Sequence, residues 1–362
     1  MCLSHEKIPY LHPMHIFWFL ILLSGPALPA AAEIDGARAV VRAFAEIAAG
    51  RHEKATQAVQ HLHEALALLM QKREPSQLPV ARQAWRQARS AVLRLESLRF
   101  FFGPIDDDDG PQARLDTLLR NEGKSVEAMI AREETFPDLT AETLQGAHLS
   151  PNSDNVLCGL PVLEYFLWHR EPLNLTPRRA SYLAACAQLL NDDVEAMARE
   201  WQAGKLGNYR AMFEEAPDQS LQRILTGMSL LSGVELAASR LQMALDTRAA
   251  SEIPASRSGT TKEDLLASTE GLKDFWQALQ PMVVALDAAL AAKMEQQFQA
   301  SARLAKALPE VIADAVQGAE AAPGRVQITE LMLALEAQAE SLRIVGRRCG
   351  FILPVEIMLG DE

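Results

Sequence analysis

The sequence has little of what a sheet is built from: aromatics make up only 6% of its 362 residues, and no β-branched runs alternate apolar with polar residues at period two. That excludes a β-sandwich or barrel, and the abundance of alanine, leucine, glutamate, glutamine and arginine predicts an all-α protein. Positive charge is also scarce. Lys and Arg number 35 against 47 Asp and Glu, a net charge of -12, which excludes a generic nucleic-acid surface and adhesion to anionic lipid, since both need a basic face. The four cysteines have no metal-finger spacing, and none follows the N-terminal apolar block where a lipid anchor would require it. HExxH and GxSxG are both missing, so no motif for a zinc peptidase or a serine hydrolase is offered. No apolar run reaches the ~20 residues that span a bilayer.

What is present starts with a short apolar block, Ile16 to Leu23, followed by Pro26, Pro29 and the small residues Ala30 and Ala32. This reads as residues 1–32 of a secretory signal cut ahead of Glu33, translated from Met1 or Met14, with no stable membrane insertion after cleavage. Cleavage removes Cys2 and leaves Cys158, Cys186 and Cys349, an odd set that keeps at least one thiol unpaired; small buried hydrophobes are the expected role. The rest of the chain is expected to divide into two helical halves, 33–204 and 205–362, in the polar stretch Gly204 to Asp218.

Helical periodicity predicts a long first helix to about Arg73, with His52, His61 and His63 on solvated surface, and a second helix from near Pro79 that ends at Phe102-Gly103-Pro104. An acidic loop, Asp106 to Asp109, fails the EF-hand register and leads into a third helix expected over 111–134. Thr176-Pro177 reads as an N-cap with proline at the first helical position. Gln219 to Leu245 is the next long helix. Thr260 and Glu263 form a predicted capping box, opening stretches 263–290 and 293–318, and a last helix covers 327–345.

Three carboxylates fall on apolar stripes. Glu164 shares a face with Leu157, Leu160 and Leu167, Glu96 follows Trp85 and Val92 with Arg99 at i+3 as its obvious partner, and Glu235 follows Leu221, Ile224, Met228 and Leu231. A carboxylate so placed must be paired, metal-bound or protonated, and for Glu164 Arg99 is the first partner expected, a Tyr or Ser hydroxyl the next. Pro161 should start or kink the helix that carries it.

The segment Gly159-Leu160-Pro161-Val162-Leu163-Glu164-Tyr165-Phe166-Leu167-Trp168 resembles the GxHxxE signature of the imelysin-like family of bacterial envelope proteins. Pro161 takes the place of the histidine. Similar likeness is carried by Trp85 to Pro104, by the glycine and Glu235 on the helix of the second half, and by Ser258, Thr260, Thr261 and Asp264 in a polar loop. The resemblance implies two packed helical-bundle halves, an extracytoplasmic, periplasmic location and a link to iron or other metal uptake. It places a ligand pocket near Glu96, Arg99, Gly159, Pro161, Glu164, Tyr165, Glu235, Ser258, Thr260 and Asp264. The reading that follows is a non-enzymatic binding component with an envelope or iron-uptake protein as partner. One alternative is a metal-dependent hydrolase using the carboxylates with His148 or His169; another is a scaffold for protein contacts. The cofactor is unknown; iron is the first metal to test, with Glu164 the candidate ligand.

Overall fold

The computed structural model describes residues 34–101, 110–119, 123–148, 156–168, 175–249 and 253–355. The segment 1–32 read as a signal, with Cys2, the acidic loop and His169 lie outside them. Among the described residues there are helices and turns and no strand, and residues 33–362 form one compact unit.

The first helix, α1 (Ala37–Lys72), turns Val40, Phe44, Ala48, Ala55, Val59, Leu62 and Leu69 inward. Steps of three and four keep these on one stripe for 36 residues. His52 falls on the same stripe and is buried, not solvated as expected. Both of its ring nitrogens lack a partner, its ring stacks on Trp201 at 6.1 Å, and burial lowers its pKa to about 3.

The second helix, α2 (Gln77–Leu93), stops early and tightens into a 3-10 turn, Glu96–Phe100. The single helix expected over 111–134 is two pieces, α3 (Pro111–Leu115) and α4 (Lys124–Ala131). Asp116 leaves helical geometry at the end of α3, and Gly123, at φ 87°, starts α4. The short helices α5 (Ala141–Ala147) and α6 (Leu160–Trp168) lead to α7 (Pro177–Glu200). Thr176 caps α7 as the sequence predicts, its hydroxyl accepting from the Arg179 N–H at 3.3 Å.

The polar stretch after α7 contains a further helix, α8 (Tyr209–Glu215). A continuous rod follows: α9 (Pro217–Ser229), a π-helical stretch Leu230–Gln242, and α10 (Met243–Thr247). Then come α11 (Thr261–Leu286), α12 (Ala288–Ala307), α13 (Ile312–Gln317) and α14 (Pro323–Arg348). The predicted capping box is not formed: Thr260 makes no side-chain cap bond to α11, and its hydroxyl lies 2.9 Å from that of Ser258.

The stretches on either side of residue 204 share the unit, because α1 packs on α11 and α9 as well as on α2 and α7. Few as they are, the aromatics gather where those elements meet. Phe44 of α1 stacks on Phe275 of α11 at 4.3 Å and lies within 6 Å of Phe101 and Phe213. Burying one such ring contributes about 1.5–3 kcal/mol, so this node helps to bind the two stretches together. Beside it, the chain from Arg94 to Ser97 is threaded between two helices through glycines. A Cβ on Gly271 of α11 would sit 2.5 Å from the Arg94 carbonyl oxygen, and one on Gly227 of α9 would overlap that of Ser97. This close passage carries Glu96 into the interior.

Candidate functional site: a buried cluster of arginines and carboxylates

Glu96 is 4% exposed and faces the π-helical stretch. Arg240 donates to both of its oxygens, at 3.3 Å to Oε2 and more closely to Oε1. Ser268 of α11 donates to Oε2 at 2.7 Å, and Arg99 to Oε1 at 3.3 Å. Arg240 also donates through Nε to Glu235 at 3.0 Å, and Arg99 lies 3.6 Å from the same carboxylate. An i, i+5 pair such as Glu235 and Arg240 shares a face because the helix is wound wide here. Burial alone would raise the pKa of Glu235; Arg99 and Arg240 outweigh it and hold the group down at about 2.

The cluster continues across α2. Arg89, 2% exposed, donates through Nε to Asp264 at 2.7 Å and through Nη1 to Asp116. Its guanidinium also lies over the Trp85 ring, 5.5 Å from the centroid. Burial opposes the charge on Arg89, but Asp116, Asp264 and Glu164 together raise its pKa. Asp264 behaves in the opposite way: burial pushes it up to about 7, and Arg89 reverses only part of that.

Glu164 is 3% exposed and does not meet Arg99, the partner expected from sequence. Its Oε1 accepts the backbone N–H of Ser258 at 2.7 Å, so the loop 253–260 is strapped to α6. Pro161 sits in the first turn of α6, where a missing N–H costs nothing. Immediately before it, Gly159 adopts φ 88°, and a Cβ there would lie 2.7 Å from the Leu115 carbonyl oxygen. Only glycine accepts both conditions.

The sequence-predicted residues therefore divide. Glu96, Arg99 and Glu235 come together directly, Asp264 joins them through the charges of Arg240 and Arg89, and Ser258, Thr260 and Glu164 form the adjoining strap. Gly159 and Pro161 shape the backbone. Tyr165 points elsewhere, donating to Glu127 at 2.7 Å, which also pairs with Arg179. His148 contacts Cys158, its Nδ1 3.4 Å from the thiol sulfur. Cys158 and Cys186 are buried and unpaired, and Cys349 is also free. Burial raises the Cys158 pKa and pushes Cys186 up to about 12, as befits small core groups.

Arg89, Asp116, Arg240 and Ser268 were missed. Arg89 was legible, for it lies four residues after Trp85 and three before Val92, on the stripe that also points to Glu96. Arg240 was not, because α-helical steps of three and four never reach i+5. Among the described residues no group of three or more His, Cys, Asp or Glu is arranged to hold a metal, and no helix is long and apolar enough to cross a membrane.

The fold and this cluster define a helical-bundle protein centred on buried ion pairs. The chain belongs to the imelysin family, labelled peptidase M75, whose sequence pattern matches residues 48–342. Two solved structures share the fold. An imelysin-like protein from Psychrobacter arcticum 273-4 has a TM-score of 0.66 at 16% identity, covering 88% of this chain and 97% of its own. A putative iron-regulated protein A precursor from Parabacteroides distasonis ATCC 8503 has a TM-score of 0.73 at 16% identity, covering 87% and 95%. Comparison with curated proteins finds no match.

Proposed function

We propose that the chain is a non-enzymatic component of the cell envelope that binds a ligand or partner protein in iron or other metal acquisition. One observation carries the non-enzymatic part: the carboxylates that could serve a metal are already engaged. Arg240 and Arg99 take Glu96 and Glu235, Arg89 takes Asp264, and a backbone N–H takes Glu164. Pro161 stands where the family signature has histidine, so no imidazole is offered in that turn, whereas durable zinc or iron sites add imidazole or thiolate to carboxylate. Support for the link to iron is the name of the Parabacteroides distasonis relative, an iron-regulated protein A precursor.

The same pairing favours a second reading, in which the cluster only holds the bundle together for protein contacts. Deleting the gene in its host and comparing growth in iron-replete and iron-chelated media separates the two. A defect confined to chelated medium and restored by the wild-type gene is expected. Equal growth in both media contradicts the acquisition role.

A further inference from the structure

Among the described residues the interior cluster is unbalanced. Asp116, Glu96, Glu164, Glu235 and Asp264 bring five carboxylates against the three guanidinium groups of Arg89, Arg99 and Arg240. A cavity of about 10 Å³ opens beside Asp264, bounded by Arg240, Thr261, Ile312 and the loop residues Ile253 and Pro254, a size that holds about one water. The loop forms the outer wall. It is fastened at two places, the Ser258 N–H to Glu164 at 2.7 Å and the Pro254 carbonyl to the Thr261 hydroxyl at 2.8 Å, and is braced within itself by the Ser258 and Thr260 hydroxyls, 2.9 Å apart.

We propose that the loop 253–260 is a proton-controlled strap, closed over Asp264 while that carboxyl is protonated and released when it ionises. The groups that decide this come from every neighbouring element. Arg89 and Asp116 face Asp264 from α2 and the end of α3, Arg240 from the π-helical stretch, with Glu96 and Glu235 drawing on Arg240's charge and Glu164 on that of Arg89. Among the described residues, the two cations within reach, Arg89 and Arg240, are thus already shared with four other carboxylates. An ionised Asp264 adds a negative charge that they cannot fully compensate, and water is the solvent that can, once Ile253 and Pro254 move away.

The sign follows from linkage. The closed state holds the Asp264 proton up to about pH 7, whereas a hydrated aspartate releases it near its ordinary value of about 3.9. Between those values the closed state binds more protons, so opening becomes easier as pH rises and levels off above the upper one. The device does not depend on the proposed role in metal acquisition, since it needs only Asp264 and the loop.

Hydrogen exchange of the peptide covering 253–260, corrected for intrinsic rates and compared at about pH 5 and about pH 8, tests it. In the wild type, protection is expected to fall by about tenfold or more between the two, while α1 peptides change little. In Asp264→Asn, which cannot ionise, protection should be the same at both. Loop protection in the wild type that ignores pH, or an equal loss in Asp264→Asn, overturns the proposal. Should the variant fail to fold, carbon-13 carboxyl resonances of the wild type decide: one buried aspartate must titrate in step with loop exchange, and their titrating apart overturns it equally.

Discussion

Two buried nitrogen side chains on the opening pair of helices are treated in opposite ways. Arg89 on α2 is wrapped by Asp116 and Asp264 and keeps its charge; His52 on α1 has no hydrogen-bond partner and gives its charge up. The difference shows what each position tolerates. A guanidinium cannot shed its proton, so it enters the core only with carboxylates around it. An imidazole can become neutral, and then behaves as a flat ring against Trp201. The centre of the molecule is accordingly sensitive to loss of a partner, and the α1–α7 interface is sensitive to acid.

The largest effect is expected at the partner-dependent end. Arg240→Met leaves Glu96 and Glu235 without their main cation in a place 8% exposed, and urea unfolding should show a loss of about 3–5 kcal/mol. A loss under about 1 kcal/mol would put the cluster in the same class as surface ion pairs and erase the contrast with His52. Gly159→Ala, which forces a side chain into φ 88° against the Leu115 carbonyl, should cost about 3 kcal/mol by the same assay.

The acid-sensitive end is sharpened by pH. His52 has its pKa lowered to about 3 in the folded state from 6.5, so the unfolded chain binds the extra proton below 6.5 and stability falls as pH drops from there toward 3. His52→Leu should remove that slope and gain about 2 kcal/mol over the wild type at about pH 5, relative to their difference at about pH 8. Parallel stability curves for the two proteins would show that His52 is not buried neutral.

Glu164→Gln is the mildest change. A neutral backbone N–H from Ser258 is its partner, and a glutamine oxygen can accept the same bond, so about 1 kcal/mol is expected in thermal melts. A loss as large as that of Arg240→Met would mean that Glu164 balances a cation directly.

Much of the fold could be read in advance because it rests on local signals. The stripe of α1, the Thr176 cap with Pro177 behind it, and the helix-starting role of Pro161 each depend on residues within a few turns. Where long-range contacts decide, sequence spacing failed. Asp116 ends α3 and reaches Arg89, which breaks the single helix expected over 111–134. The Thr260 hydroxyl turns to Ser258 instead of capping α11. For the site, the glutamates announced themselves by sitting on apolar stripes, but their partners did not: Arg240 is reached through a π-helical turn, and Ser258 offers its backbone, which no side-chain pattern records. His52 was the reverse case. Its spacing from Ala48 and Ala55 placed it on the inward stripe, and its polarity argued wrongly for the surface.

In the proposed reading these carboxylates are held by the protein's own arginines and backbone and not by a metal. Isothermal titration of ferrous, zinc and calcium ions into the purified protein, alongside Pro161→His, tests it most directly. The wild type should give no saturable binding tighter than about 1 μM for any of the three, and any affinity should appear only when the histidine is restored. One-to-one binding by the wild type at or below that concentration, lost in Glu164→Gln, would contradict it.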